Sequence, residues 1–155
     1  MNYCMSWVQH ITVASIVQKE DKFLFVEEYV KKKLVINQPA GHLEENESLQ
    51  EACIRETLEE TGYLVEALYL VGIYHEYSSA NRDMWLRFCF ACKVIKKVEN
   101  YKIDDKISNV IWLTENEFNL KPDDTHRSNM VKKSLQDFIL GKEYKTQLIS
   151  YEKND

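Results

Sequence analysis

The sequence predicts an α/β or α+β sandwich, with strands and helices alternating around one sheet system. Three observations point to it. Apolar, β-branched runs such as "ITVASIV" (residues 11–17) and "KFLFVEE" (residues 22–28) are bounded by polar turns, as strands are. Residues 48–62 open on a capping box and close on glycine, as helices do. No repeat, low-complexity run or linker divides the 155 residues, a length that suits one domain, taken as 1–155.

Taken in order, the first two runs are separated by the polar "QKED" and read as a hairpin. "YVKKKLVINQPAGHLEENE" follows as a loop with a short strand, broken by Pro39 and Gly41. A helix starts near Ser48, whose hydroxyl can take the amide of Glu51 while Glu51 reaches back; Gly62 stands where a left-handed cap belongs. Residues 63–77 and 84–95 read as long strands joined by "SSANRD", and residues 109–113 as a short one. Thr114 and Glu117 form a second capping box. Apolar residues at 130, 131, 135, 138 and 139 make a helical stripe ended by Gly141. Residues 142–155 are weakly determined, an edge strand or disorder.

Composition narrows the function. The net charge of −5 argues against nucleic acid as a partner, since such proteins carry a basic face. It leaves room for phosphorylated small molecules, because a bound cation inverts the local sign. The N-terminus lacks the basic and apolar regions of a signal peptide, and no apolar run reaches membrane-spanning length, so a cytoplasmic protein with no membrane partner is expected. Cys89 and Cys92 form a CxxC, but in a strand they point to opposite faces, so buried structural thiols are expected rather than a metal or redox pair.

Chemistry concentrates in "GHLEENESLQEACIRETLEETGY", residues 41–63, where glutamates surround a single arginine. A run of glutamates on a helix is ordinarily a solvated face. Here Glu59 and Glu60 occupy the last turn, where the macrodipole disfavours carboxylates by about 0.3–1 kcal/mol each. Glu56 stands at i−3 and i−4 to them, so all three project to one side and repel by about 0.2–0.5 kcal/mol per pair. That repulsion calls for a compensating cation, and three oxygen donors suit Mg²⁺ or Mn²⁺. Arg55 lies at i+4 from Glu51 and i−4 from Glu59, two turns beyond Glu47, placed to orient carboxylates with its planar fork. Gly41 lets main chain approach, so a carbonyl near Ala40 or Gly41 can complete a metal shell.

The spacing of Gly41, Glu47, Arg55-Glu56, Glu59-Glu60 and Gly62 resembles the Nudix box, Gly-x5-Glu-x7-Arg-Glu-U-x-Glu-Glu-x-Gly-U, with every fixed Gly, Glu and Arg present. It departs only at the bulky apolar positions U, which are Thr57 and Tyr63; Thr57 is expected to pack through its methyl. Further likeness over roughly residues 10–140, in "HITVASIV", "NQPAGHLE" and "LRFCFA", is to the branch that includes the phosphatase NudJ. The resemblance implies a Nudix-type α/β/α sandwich with a mixed central sheet and metal-dependent hydrolysis of phosphoanhydrides. Glu56, Glu59 and Glu60 would be metal ligands and catalytic, Arg55 would fix Glu47 and Glu59, and Gly62 would be structural. The branch implies action on nucleoside tri- and diphosphates and on thiamine-pathway pyrophosphates, including hydroxymethylpyrimidine pyrophosphate. Dinucleoside polyphosphate hydrolysis and non-catalytic ligand binding are the competing readings. The intact carboxylates disfavour the latter, and the calcium-loop pattern is missing.

The general base is not fixed by the box: Glu59 and Glu60 are candidates, with Glu76, Asp104, Asp105 and Glu115 outside it. Arg87, charged within "WLRFCF", is expected either to meet a substrate phosphate or to form a buried ion pair. Asn37 and Gln38 are expected to line the substrate pocket; His75 reads as a strand-end residue. The chain is expected to work as a monomer or homo-oligomer on a small-molecule phosphoanhydride.

Overall fold

The computed structural model describes residues 8–78 and 82–153. The elements run β1 (Val8–Lys19), β2 (Lys22–Val30), β3 (Lys33–Asn37), β4 (Ala40–His42), α1 (Leu49–Thr61), β5 (Tyr63–Ser78), β6 (Asp83–Lys97), β7 (Ile107–Thr114), α2 (Glu115–Asn119) and α3 (Asn129–Ile139). Cys4 and part of the expected "SSANRD" turn lie outside the described residues.

The expected hairpin between β1 and β2 is short. Only Gln18–Phe23 and Lys19–Lys22 pair, because β1 gives its edges to other strands. It runs parallel to β6 from Val8–Asp83 to Val17–Cys92, and takes β4 antiparallel at Thr12–His42 to Ala14–Ala40. The unbroken buried run Thr12–Val17 is that of a central strand covered on both faces. β5 lies antiparallel outside β6, and β3 and β7 flank β2, so the sheet is mixed.

Period-two alternation assigns the faces. Val13, Val17, Phe90 and Cys92 pack with Ala52 and Cys53 of α1. Ala14, Ile16, Cys89 and Ala91 face Phe118 of α2 and Met130, Val131 and Leu135 of α3. The result is an α/β/α sandwich. Cys89 and Cys92 fall in different cores; the thiol near Cys92 is Cys53 Sγ, at 3.7 Å.

Both capping boxes form. Ser48 N–H donates to Glu51 Oε2 at 2.7 Å and Glu51 N–H to Ser48 Oγ at 3.2 Å, and Thr114 and Glu117 do the same. Gly62 caps α1 at φ 71°, its N–H meeting Leu58 O at 2.8 Å. α1 has no basic residue in its last turn, and Lys97 of β6 supplies the cation, donating to Thr61 O at 2.7 Å. Thr57, expected to pack through its methyl, is fully buried with its hydroxyl 2.7 Å from Cys53 O, to which it donates, and 2.8 Å from Ser15 Oγ. The tail meets β5 at one bridge, Leu70–Tyr144, then makes a 3-10 turn at Thr146–Leu148. Among the described residues, no helix is long and apolar enough to cross a membrane.

Candidate active site

Arg55 organises the loop before α1. Its Nε and Nη2 donate to the two oxygens of Glu47 at 2.9 and 2.7 Å, a bidentate fork, while Nη2 also reaches His42 O at 3.0 Å. Its Nη1 donates to Glu56 Oε1 at 2.8 Å and Glu59 Oε2 at 3.1 Å. Glu47 in turn accepts from Glu44 N–H at 2.7 Å. The Arg55 bond holds Glu47 below the usual carboxylate range. Glu51, which spacing also offered to Arg55, is taken by the capping box.

Gly41 is fixed by sterics. A Cβ there would stand 2.0 Å from Glu56 Cδ, so only glycine lets the β4 main chain lie against this carboxylate. Glu56 and Glu60 are buried, at 7% and 3% exposure, and burial raises both above the carboxylate range, Glu60 to about 7. Glu60 Oε2 accepts from Ala40 N–H at 2.9 Å, and Oε1 lies 3.1 Å from Lys106 Nζ. Burial works to lower the Lys106 ammonium, but Glu60 and Asp104, the latter 3.3 Å away, outweigh it and hold it above the ordinary lysine value.

The three box carboxylates project to one side but do not gather on one point. Among the described residues, no three carboxylate, imidazole or thiolate groups lie close enough to hold one ion. Arg55 draws Glu56 and Glu59 together, while Lys106 and the Ala40 amide hold Glu60. The donor set nonetheless suits a hard divalent cation. Glu56 and Glu60 are oxygen donors whose carboxyls burial holds above the usual carboxylate range, although Arg55 and Lys106 stand beside them.

Glu60, Gly41 and Lys106 line a cavity of about 550 Å³ together with Arg87, Glu76 and Asn37. Arg87 is 5% exposed and makes no ion pair, so the expected buried salt bridge is absent among the described residues. Gln38 is turned away: its amide bonds to Ser134 Oγ at 2.9 Å in the α3 core, because the alternation that aims Asn37 at the cavity aims its neighbour elsewhere. Of the outside base candidates, Glu76 lines the cavity, Asp104 and Asp105 flank the outer side of Glu59, and Glu115 is exposed at the start of α2. His75 is exposed.

Sequence reasoning did not single out Lys106, His42, Trp85, Glu28 or Arg127, which also line the cavity. His10 stacks on Trp85 with ring centroids 4.0 Å apart, and His10 Nδ1 lies 3.0 Å from His42 Nε2. Burial first, then His10 and Lys106, lower His42. The helix pattern found α1, but nothing local marks a lysine on the β6–β7 loop as its neighbour.

Comparison with known proteins gives a consistent picture. Residues 8–134 match the family model described as NUDIX domain. The chain is 36% identical over 140 residues to the phosphatase NudJ of Shigella boydii serotype 4 and 34% to that of Escherichia coli K12, covering 90% of both chains in each case. A NUDIX hydrolase from Nitrosomonas europaea superposes with a TM-score of 0.89 at 36% identity, covering 93% of this chain and 97% of that one. A MutT NUDIX hydrolase from Burkholderia pseudomallei shares the fold at a TM-score of 0.70 and 15% identity.

Proposed function

The chain belongs to the NUDIX family and is a hydrolase acting on phosphoanhydride bonds; from that premise we propose that it hydrolyses nucleoside tri- and diphosphates, and thiamine-pathway pyrophosphates, with Mg²⁺ or Mn²⁺. The observation that carries this reading is the pair of buried carboxylates Glu56 and Glu60, the first against the Gly41 main chain and the second lining the cavity.

Glu56 and Glu60, with Glu59 and the main-chain carbonyl of Gly41, would hold the divalent cation. When bound, such an ion neutralises substrate phosphates and makes water a better nucleophile near neutral pH. Arg55 keeps Glu47, Glu56 and Glu59 in register through direct hydrogen bonds. Glu59 is 43% exposed and engages Arg55 through one oxygen, leaving the other to take a proton from attacking water. Lys106 lines the cavity as a cation for phosphate oxygens.

The test is phosphate or pyrophosphate release from nucleoside di- and triphosphates, thiamine pyrophosphate and hydroxymethylpyrimidine pyrophosphate, with Glu60→Gln alongside. Mg²⁺-dependent turnover that the variant loses supports the reading. No release with Mg²⁺ or Mn²⁺ overturns it.

A further inference from the structure

The cavity that Glu60 lines also holds a group of polar side chains whose chemistry differs from phosphate binding. Buried polar side-chain atoms without a hydrogen-bond partner are few in a folded protein, and each costs about 1–3 kcal/mol. Here, among the described residues, they collect on Thr12, Asn37, Glu76, Arg87 and Ser128, all lining this cavity; the other is His126 Nε2. Thr12, Asn37 and Arg87 are each more than nine-tenths buried.

Sheet register explains the collection. Thr12 pairs with Arg87 across β1–β6, and Trp85 with Glu76 across β5–β6, so these side chains rise from the face that α3 covers further along. α3 begins only at Asn129, and this end of the face is left to the cavity.

The orphaned atoms include both donors and acceptors. Asn37 Nδ2 donates to Glu28 Oε1 at 3.3 Å, and Glu28 is itself 3.5 Å from Arg127 Nε. That bond fixes the amide so that Oδ1, an acceptor, is left over. Glu76 Oε2 is a second acceptor, while Arg87 Nε and Nη1 are donors. A phosphate presents only acceptors: it would suit Arg87 but be repelled by Glu76 and Asn37 Oδ1. An apolar group would leave all of them unpaired. A flat ring with an exocyclic amino group beside a ring acceptor satisfies both kinds at once, and Trp85, braced by His10, supplies an aromatic wall.

We propose that Glu76, Asn37 and Arg87 determine specificity by reading the donor–acceptor edge of an amino-substituted nitrogen heteroaromatic ring carried by the substrate. The carboxylate and amide oxygens accept from the amino group, and the guanidinium donates to the adjacent ring nitrogen. This rests on the phosphoanhydride reading of the Glu56 and Glu60 site.

The experiment uses two isosteric pairs that exchange an amino group for an oxo group, CTP against UTP and ATP against ITP. The kcat/KM of each is measured for the wild type, Glu76→Gln and Arg87→Met, with melting temperatures confirming folding. The wild type is expected to favour the amino member of both pairs by about tenfold or more, since a site built to hydrogen-bond a group rejects the analogue lacking it. Glu76→Gln, whose amide also donates, is expected to shrink both ratios towards one. Arg87→Met is expected to raise KM for the amino members. Should Arg87→Met not fold, the Glu76→Gln ratios alone decide. Hydrolysis of all four at equal kcat/KM by the wild type overturns the ring reading while leaving the phosphoanhydride reading intact. So do wild-type ratios that Glu76→Gln leaves unchanged, with the buried groups then serving structure or water. Failure to hydrolyse any phosphoanhydride, with Mg²⁺ or Mn²⁺, overturns both.

Discussion

Glu60 of α1 and Asp137 of α3 are both nearly removed from solvent, at 3% and 4% exposure, yet the fold treats them oppositely. Burial acts to raise both. At Asp137 it is outweighed: Lys133, Lys142 at 2.9 Å and Tyr74 Oη at 3.1 Å all donate, and the carboxyl falls below the ordinary aspartate value. The two lysines are half-exposed and close over a carboxylate just beneath the surface. At Glu60 one main-chain amide and one lysine do not offset deep burial, and the carboxyl rises to about 7. A carboxylate that the protein satisfies is part of the scaffold. One that it buries and leaves short of charge is prepared for something else.

Exchanging each carboxylate for its neutral amide tests this most sharply. Glu60→Gln is expected to lower kcat/KM by about 10³-fold, as removal of one electrostatic anchor does. Its effect on stability should have the other sign. Because the folded value lies above the unfolded 4.5, the Glu60 contribution is fully present below pH 4.5 and lost as pH rises through about 7. Above pH 7 the ionised group costs roughly 3 kcal/mol. Melting in EDTA between pH 5 and 8 should show the wild type losing more stability than Glu60→Gln. A variant destabilised at every pH would make Glu60 a scaffold residue like Asp137.

Gly41→Ala comes next. A methyl 2.0 Å from Glu56 Cδ must displace that carboxylate. Activity should fall by about 10²-fold, in line with a catalytic group moved by an ångström. Gly141→Ala after α3, where the added methyl meets nothing within 4 Å, should instead cost about 1 kcal/mol from its φ of 74° and leave kcat unchanged. Steady-state kinetics and urea melts on both variants separate the two effects. Equal kinetic losses would mean that the approach of β4 to Glu56 is incidental.

The difference between Glu60 and Asp137 was only half legible in the sequence. Residue spacing put Glu56, Glu59 and Glu60 on one side of a helix, and the capping box and Gly62 bounded that helix correctly, because both are set by neighbours within four residues. The apolar runs identified the strands but not their partners: β1 was expected in a hairpin, whereas most of it pairs with β6, some seventy residues away. Separation along the chain likewise hid Lys106 from Glu60 and Tyr74 from Asp137. Spacing suggested that the carboxylates converge; the cations that draw them apart come partly from another segment. Asn37 and Gln38 looked alike in the chain and differ only through strand alternation against a core not yet placed.

Asp137→Asn is expected to be the smaller half of the exchange, about 2 kcal/mol of lost stability from weakening charged hydrogen bonds, with kcat per folded molecule unchanged. The folded value is depressed, so the Asp137 contribution is present above the unfolded value and lost as pH falls through the folded one. The gap between wild type and variant in urea melts should therefore close on acidification. A gap constant from pH 7 to pH 3 would place its origin in packing.

The smallest expected effect concerns Lys106, the cation that only partly satisfies Glu60. The β6–β7 loop presents it, anchored where Asp104 N–H donates to Glu59 O at 2.9 Å. An ammonium 3.1 Å from Glu60 Oε1 competes with any other cation for that oxygen. Half-exposed and on a flexible stem, it does so weakly, since screening and side-chain entropy reduce such pairs to about 1 kcal/mol or less. Lys106→Met should therefore tighten Mn²⁺ binding, followed by the EPR signal of the free ion, by no more than about fivefold, while Lys142→Met leaves it unchanged. The same variant should lower kcat by a similar factor if the displaced ammonium serves substrate phosphate. Weaker Mn²⁺ binding would mean that Lys106 holds Glu60 in place as Lys133 and Lys142 hold Asp137, and the two carboxylates would then differ in degree alone.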